Sequence, residues 1–163
     1  MSWRGARVAV ALFVLLAGCA FTLDQRAVEG PEAARLWKLR FATSYGRPPA
    51  FEETLRFHDE LDRRMRAYLE DHPALVTAPR APNLRFWRRA SVGMTKEEVL
   101  LLLDKPDRTT SDPAAMEVAA RRFWPEVKKR AKEMWSYPGG WSLYFDGDEL
   151  VDLTVYRRQF LQD

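Results

Sequence analysis

The last third of the chain changes period, and that change constrains the fold most. "EMWSY" (133–137), "WSLYF" (141–145) and "ELVDLTVY" (149–156) alternate apolar and polar residues and are rich in aromatic and β-branched types. That is the pattern of half-buried strands. "PGG" separates the first two and "DGDE" the last two, so the spacing predicts a three-stranded antiparallel meander with tight turns. Trp141, Leu143 and Phe145 are expected on one face, with Ser142 and Tyr144 opposite. Val151, Leu153 and Val155 are expected to share a face, with Asp152 and Thr154 opposing them. Such a sheet needs helices over its apolar face.

Helical patterns precede it. Pro31–Tyr45 reads as a helix whose first turn holds Pro31 and Glu32, and Gly46 stops it. From Pro49 to His72, Phe51, Leu55, His58, Leu61, Met65, Tyr68, Leu69 and His72 recur at steps of three and four. These two helices predict a hairpin over 31–73. His58 and His72 lie fourteen residues apart, about 21 Å along a helix, too far to share one ion. Three prolines in 73–83 predict an extended connector within 74–90. "LRFWRR" after it reads as a short edge strand or an irregular packing segment.

Thr95 followed by Glu98 is a capping box opening a helix that carries Val99 and four leucines, and Pro106 forbids its continuation. Five apolar residues in a row leave this helix no wet side, so two layers should cover it. Asp112-Pro113 opens a helical segment, 113–133, that Pro125 should kink or split. The fold class expected is therefore α+β: an N-terminal helical hairpin plus one or two helices packed on a three-stranded meander, with 91–163 as the main domain.

The front end bears on function. Arg4 and Arg7 precede "VAVALFVLLA", a ten-residue uncharged run that matches the core of a secretory signal and is too short to span a bilayer. It ends in Leu16-Ala17-Gly18-Cys19, which resembles the lipobox of bacterial lipoproteins. That resemblance implies acylation of the Cys19 sulfur and cleavage before it, with 1–18 as signal peptide. Cys19 is the only cysteine, so it has no internal disulfide partner, and a thioether-linked lipid removes a free thiol from an oxidising compartment. Residues 19–30 show no strong period and read as a tether. Removing Arg4 and Arg7, with no acidic residue beside them, lowers the net charge from +3 to +1. Without a clustered basic face there is no basis for nucleic-acid binding.

Gly93-Met94-Thr95, then Glu97-Glu98-Val99, then Leu102-Leu103-Asp104-Lys105-Pro106-Asp107 resemble the opening of the SmpA/OmlA (BamE-like) domain, whose helix begins "GMTxxxV" and ends "LGxPD". Trp135-Ser136-Tyr137 resembles that family's "WxY" strand, and Phe145-Asp146-Gly147 with Leu150-Val151 its final hairpin. The likeness spans Val92–Tyr156 and the signal. Asp104 stands where the family has Gly, 113–133 is an insertion, and the 31–73 hairpin has no counterpart. The resemblance implies a lipid-anchored, non-enzymatic accessory or scaffold subunit of outer-membrane protein assembly. It would lie on the periplasmic face, in contact with envelope proteins such as barrel-assembly subunits. Ala20 in place of Asp after the cysteine favours the outer membrane. A different class also fits: a binding or inhibitor-like α+β module for another envelope protein or soluble ligand, outside barrel assembly.

No nucleophile elbow, phosphate loop or metal spacing is present, so no catalytic residue, cofactor or metal is assigned. Asp146, Asp148 and Glu149 cluster around a Gly turn without an EF-type spacing. The binding candidates are aromatic and basic: Tyr144 and Tyr156, expected to oppose the core sets, with Trp141 and Arg157. Gly93, Met94, Thr95, Glu98, Val99, Pro106, Trp135, Tyr137 and Gly147 are expected to be structural.

Overall fold

The computed structural model describes residues 21–159. The lipidation expected at Cys19 and the signal peptide lie outside the described residues. The fold is α+β. Strands β1 (Phe21–Ala27) and β2 (Glu29–Glu32) lead into helices α1 (Ala33–Tyr45) and α2 (Phe51–Asp71). Then come β3 (Arg89–Ser91), α3 (Lys96–Leu103), β4 (Arg108–Thr110), α4 (Pro113–Ala120) and α5 (Trp124–Val127). The chain closes with β5 (Glu133–Tyr137), β6 (Trp141–Asp146) and β7 (Glu149–Gln159). Among the described residues no helix is long and apolar enough to cross a membrane.

The β5-β6-β7 meander forms as its alternation predicts, but it is the centre of a five-stranded sheet, ordered β1-β7-β6-β5-β4. The expected 19–30 tether is corrected here: from Phe21 the chain is β1, paired antiparallel with β7 from Phe21↔Gln159 to Ala27↔Leu153. β7 runs beyond the end of β6, where Trp141 pairs with Val155, and β1 satisfies the backbone groups that would otherwise be an open edge. The mixed, charge-bearing sequence of β1 suits an outer strand, which is why it lacks a clean period.

Helices cover both faces of the sheet, not one as expected. Leu143, Phe145, Leu150, Leu153, Trp135 and Tyr137 pack under α1–α3 with Leu36, Leu61, Met65 and Leu102. On the other face Met134, Tyr144 and Val151 pack under the insertion, against Met116, Ala120 and Val127. A bulge in β7 shifts the pairing from Tyr144↔Asp152 to Phe145↔Leu150. The residue between, Val151, therefore turns to the insertion side and does not share a face with Leu153, contrary to the period-two expectation.

α3 is held at both ends. Thr95 Oγ1 accepts the Glu98 amide at 3.2 Å, and Glu98 Oε2 accepts the Thr95 amide at 2.8 Å. At the C-terminus Asp104 adopts φ +58°, the region glycine favours. Arg40 of α1 holds this end by donating to the Leu103 carbonyl at 2.7 Å and the Lys105 carbonyl at 2.6 Å, and Tyr137 donates to the Asp104 carbonyl at 3.0 Å. The two covering layers are present, although Leu100 remains 37% exposed.

The hairpin starts later than expected. Pro31 lies in β2, not in the first helical turn, because Glu29 and Glu32 pair with Ser91 and Arg89 of β3. The Ala33 amide then donates to the Arg88 carbonyl at 2.8 Å. β2 lies directly on the sheet: a Cβ on Gly30 would sit 2.6 Å from Leu153 Cδ2. α2 buries only Leu61 and Met65 fully, and its first turns, with Phe51 and Leu55, are exposed. Residues 74–90 are not extended either. They contain a 3₁₀ turn (Pro73–Thr77) and a π turn (Asn83–Trp87) that buries Leu84, and Ala81 between the two is buried as well. "LRFWRR" enters a strand only at Arg89. The insertion is in two pieces, as expected, but the break precedes Pro125: α4 ends at Ala120, Arg121 (φ +55°) opens a 3₁₀ turn, and Pro125 sits in the first turn of α5.

The two buried tyrosines of the sheet set an alkaline limit. Burial pushes the Tyr144 phenol up to about 12 and raises Tyr137 further. Both ionise above their unfolded value of 10, so the stability they contribute is complete below pH 10 and is lost as the pH climbs through about 12. In an alkaline absorbance titration, Tyr137 and Tyr144 should ionise only together with unfolding. Their ionisation in a chain that keeps native circular dichroism would contradict this burial.

Candidate partner-binding cleft

Gly93 (φ +90°) donates to the Leu150 carbonyl at 2.8 Å, and Leu150 donates back to the Met94 carbonyl at 2.8 Å, which ties the start of α3 to β7. Met94, Val99, Trp135 and Tyr137 are buried, Pro106 is half-buried, and Gly147 (φ +61°) makes the β6–β7 turn. Of the turn carboxylates, Asp148 accepts the Lys96 amide at 3.3 Å and Glu149 pairs with Arg130 at 3.3 Å. His58 is exposed on α2, and His72 Nδ1 lies 2.9 Å from the Tyr68 carbonyl oxygen.

Of the four binding candidates, Tyr144 is corrected: it is fully buried under α4 and α5, with its hydroxyl 3.1 Å from Thr154 Oγ1. The insertion covers the face that the meander alone would have left wet. Tyr156 is half-buried on that same side, with the Arg121 guanidinium 4.0 Å from its ring centroid. The structure instead brings Trp141 and Arg157 together on the face of α1, with the Arg157 guanidinium 5.8 Å from the centre of the Trp141 ring.

These two line a cleft of about 950 Å³ at the bend between β1 and β2, where the chain leaves the sheet edge to cross over it. α1 contributes Arg35, and β2 and its approach contribute Val28, Pro31 and Glu32. Val28 is 72% exposed, and the Trp141 ring is half-buried, so the cleft offers apolar surface. Two ion pairs are set in its walls: Arg26 with Asp152 at 2.8 Å and Arg89 with Glu29 at 2.7 Å. Arg157 is oriented by donation from Nε to the Gly139 carbonyl at 2.6 Å. Burial, and secondly the charge of Arg35, lowers the Arg157 pKa.

The sequence hid most of this. Arg35 reads as a solvated residue on a helix, and Arg26 and Val28 fell in the supposed tether. Only Trp141 and Arg157 had a signal, as an aromatic and a cation on facing strands. No protein-family model, no curated protein and no solved structure matches this chain.

Proposed function

We propose that this protein is a lipid-anchored, non-enzymatic accessory or scaffold subunit of the cell envelope. It binds another envelope protein through the β1–β2 cleft, and outer-membrane protein assembly is its setting. The observation that carries the reading is the start of β1 at Phe21, two residues after Cys19. Two residues span about 7 Å at most, so an acylated Cys19 would hold the Phe21 end of the β1–β7 edge close to the membrane, with the cleft at the other end of β1. A lipid alone gives reversible anchoring per chain, and several acyl chains on one residue make it stable. The likeness of the run from Gly93 to Asp107 to the SmpA/OmlA opening supports the same setting; in this fold the run caps α3 and ties it to β7.

The test is made on membranes from the native host. The wild type should fractionate with the outer membrane and migrate, in mild detergent, in a complex larger than the monomer that contains a barrel-assembly subunit. Cys19→Ser should accumulate as unprocessed precursor and leave that fraction. Migration of the wild type alone would overturn the scaffold reading, and normal processing of Cys19→Ser would overturn the anchor.

A further inference from the structure

The cleft holds a charge arrangement that the fold does not need. Its Arg26 and Arg89 are neutralised by Asp152 and Glu29. Arg35 and Arg157 are not: among the described residues neither has a carboxylate partner, and both line the same cleft, where the charge of Arg35 opposes that of Arg157. Like charges held together disfavour folding unless something else compensates. Arg157 is nevertheless built in. Its Nε is fixed on the Gly139 carbonyl, which leaves both Nη groups without a hydrogen-bond partner among the described residues. The β5–β6 turn runs alongside it: a Cβ on Gly139 would be in ordinary van der Waals contact with Arg157 Nε and Cζ, at 3.8 Å. The result is an oriented guanidinium fork, a second guanidinium and an indole ring around one concave space.

We propose that Arg35 and Arg157 receive a carboxylate side chain from the partner polypeptide, with an apolar neighbour of that side chain packing on Trp141. A fixed guanidinium fork matches a planar carboxylate bidentately. The walls favour a polypeptide over an anionic bilayer. They alternate in sign, with Glu32 and two ion pairs, and a concave cleft admits a side chain but not a flat, uniformly negative surface. The inference rests on the reading that the protein binds another protein, and it names the chemistry of that partner.

The test uses the full lipidated chain in dodecyl maltoside and a defined probe, acetyl-Ala-Glu-Phe-Glu-Glu-Phe-Glu-Ala-amide, against its counterpart with Gln at every Glu. Calorimetry should show saturable binding about tenfold or more tighter for the Glu peptide, weakening with salt. Arg157→Gln and Arg35→Gln should each weaken it about fivefold or more, and Arg157→Lys less, while Arg66→Gln on α2 changes nothing. Unchanged melting temperatures establish that the variants are folded, and loss of affinity in Arg157→Lys alone serves if the Gln variants melt early. Equal affinity for the two peptides would overturn the proposal, as would full binding by a folded Arg35→Gln/Arg157→Gln double variant. Displacement of the Glu peptide by phosphatidylglycerol added to the dodecyl maltoside micelles, but not by phosphatidylcholine added to the same level, would overturn it in favour of a lipid. If the peptide fails while the wild type still migrates in the envelope complex, only this inference falls. If the wild type migrates alone, the scaffold reading falls whatever the peptide does.

Discussion

Glu98→Ala should lower the unfolding free energy by about 3 kcal/mol, the lower end of what removal of one partner from a buried ion pair costs. Glu98 is fully buried, and its carboxylate has two tasks. It accepts from Arg80 Nε at 2.8 and 3.0 Å, and it closes the cap of α3 by accepting the Thr95 amide. Alanine removes both and leaves a void between α3 and the turns of 74–90. Loss of a cap alone costs about 1 kcal/mol. The Arg80 side chain is 26% exposed and can turn to water, so the penalty of a stranded buried cation is only partly felt. Glu98→Gln keeps an acceptor for the Thr95 amide and should retain roughly half of the loss. Urea denaturation of the three proteins measures this. Near-equal midpoints for wild type and Glu98→Ala would show that the pair contributes nothing.

The second large effect belongs to Gly140→Ala. Gly140 sits at φ +77°, and a Cβ there would lie 1.8 Å from the Tyr156 carbonyl oxygen and 2.8 Å from its carbonyl carbon. Those neighbours are backbone and cannot swing aside. The Tyr156 amide also donates to the Gly140 carbonyl at 3.0 Å, so turn and strand are fixed to each other. The variant must break that approach, at a cost of roughly 3 kcal/mol or more, with the positive φ adding to it. Gly147→Ala is the control: at φ +61° with nothing within 4 Å of its Cβ, it should lose only about 1 kcal/mol. Equal denaturation midpoints for the two variants would contradict the close approach. Because Arg157 follows Tyr156 and is anchored on Gly139, a folded Gly140→Ala chain should also lose affinity for an acidic peptide.

Local chemistry made several elements legible. The capping box of Thr95 and Glu98, the Asp112 cap and the two glycine turns of the meander are each settled within a few residues, and each appears where the sequence puts it, while the split of the insertion falls just ahead of Pro125. The fate of surfaces was not legible, since a residue's period says that it has a partner but not which one. Tyr144 reads as the wet side of a strand and is the centre of a second core, because the insertion folds back over it. Val151 reads as a neighbour of Leu153 and faces away from it, because one bulge reverses the alternation. In the cleft, Trp141 and Arg157 were readable as candidates, while Arg35 and Arg26 had no local signal.

What the sequence determined by itself was the set of pieces: the helices and their caps, the turns, the alternating strands and the cysteine that ends the leader-like run. Those depend on backbone hydrogen bonds and side-chain periodicity within a single segment. Tertiary structure alone decided that β1 closes the edge of β7, that both sheet faces are covered, and that two arginines line one cleft beside a tryptophan. Each depends on pairing between segments more than a hundred residues apart, or on which of several apolar faces finds which other, and the energy of that choice exists only once the chain has packed.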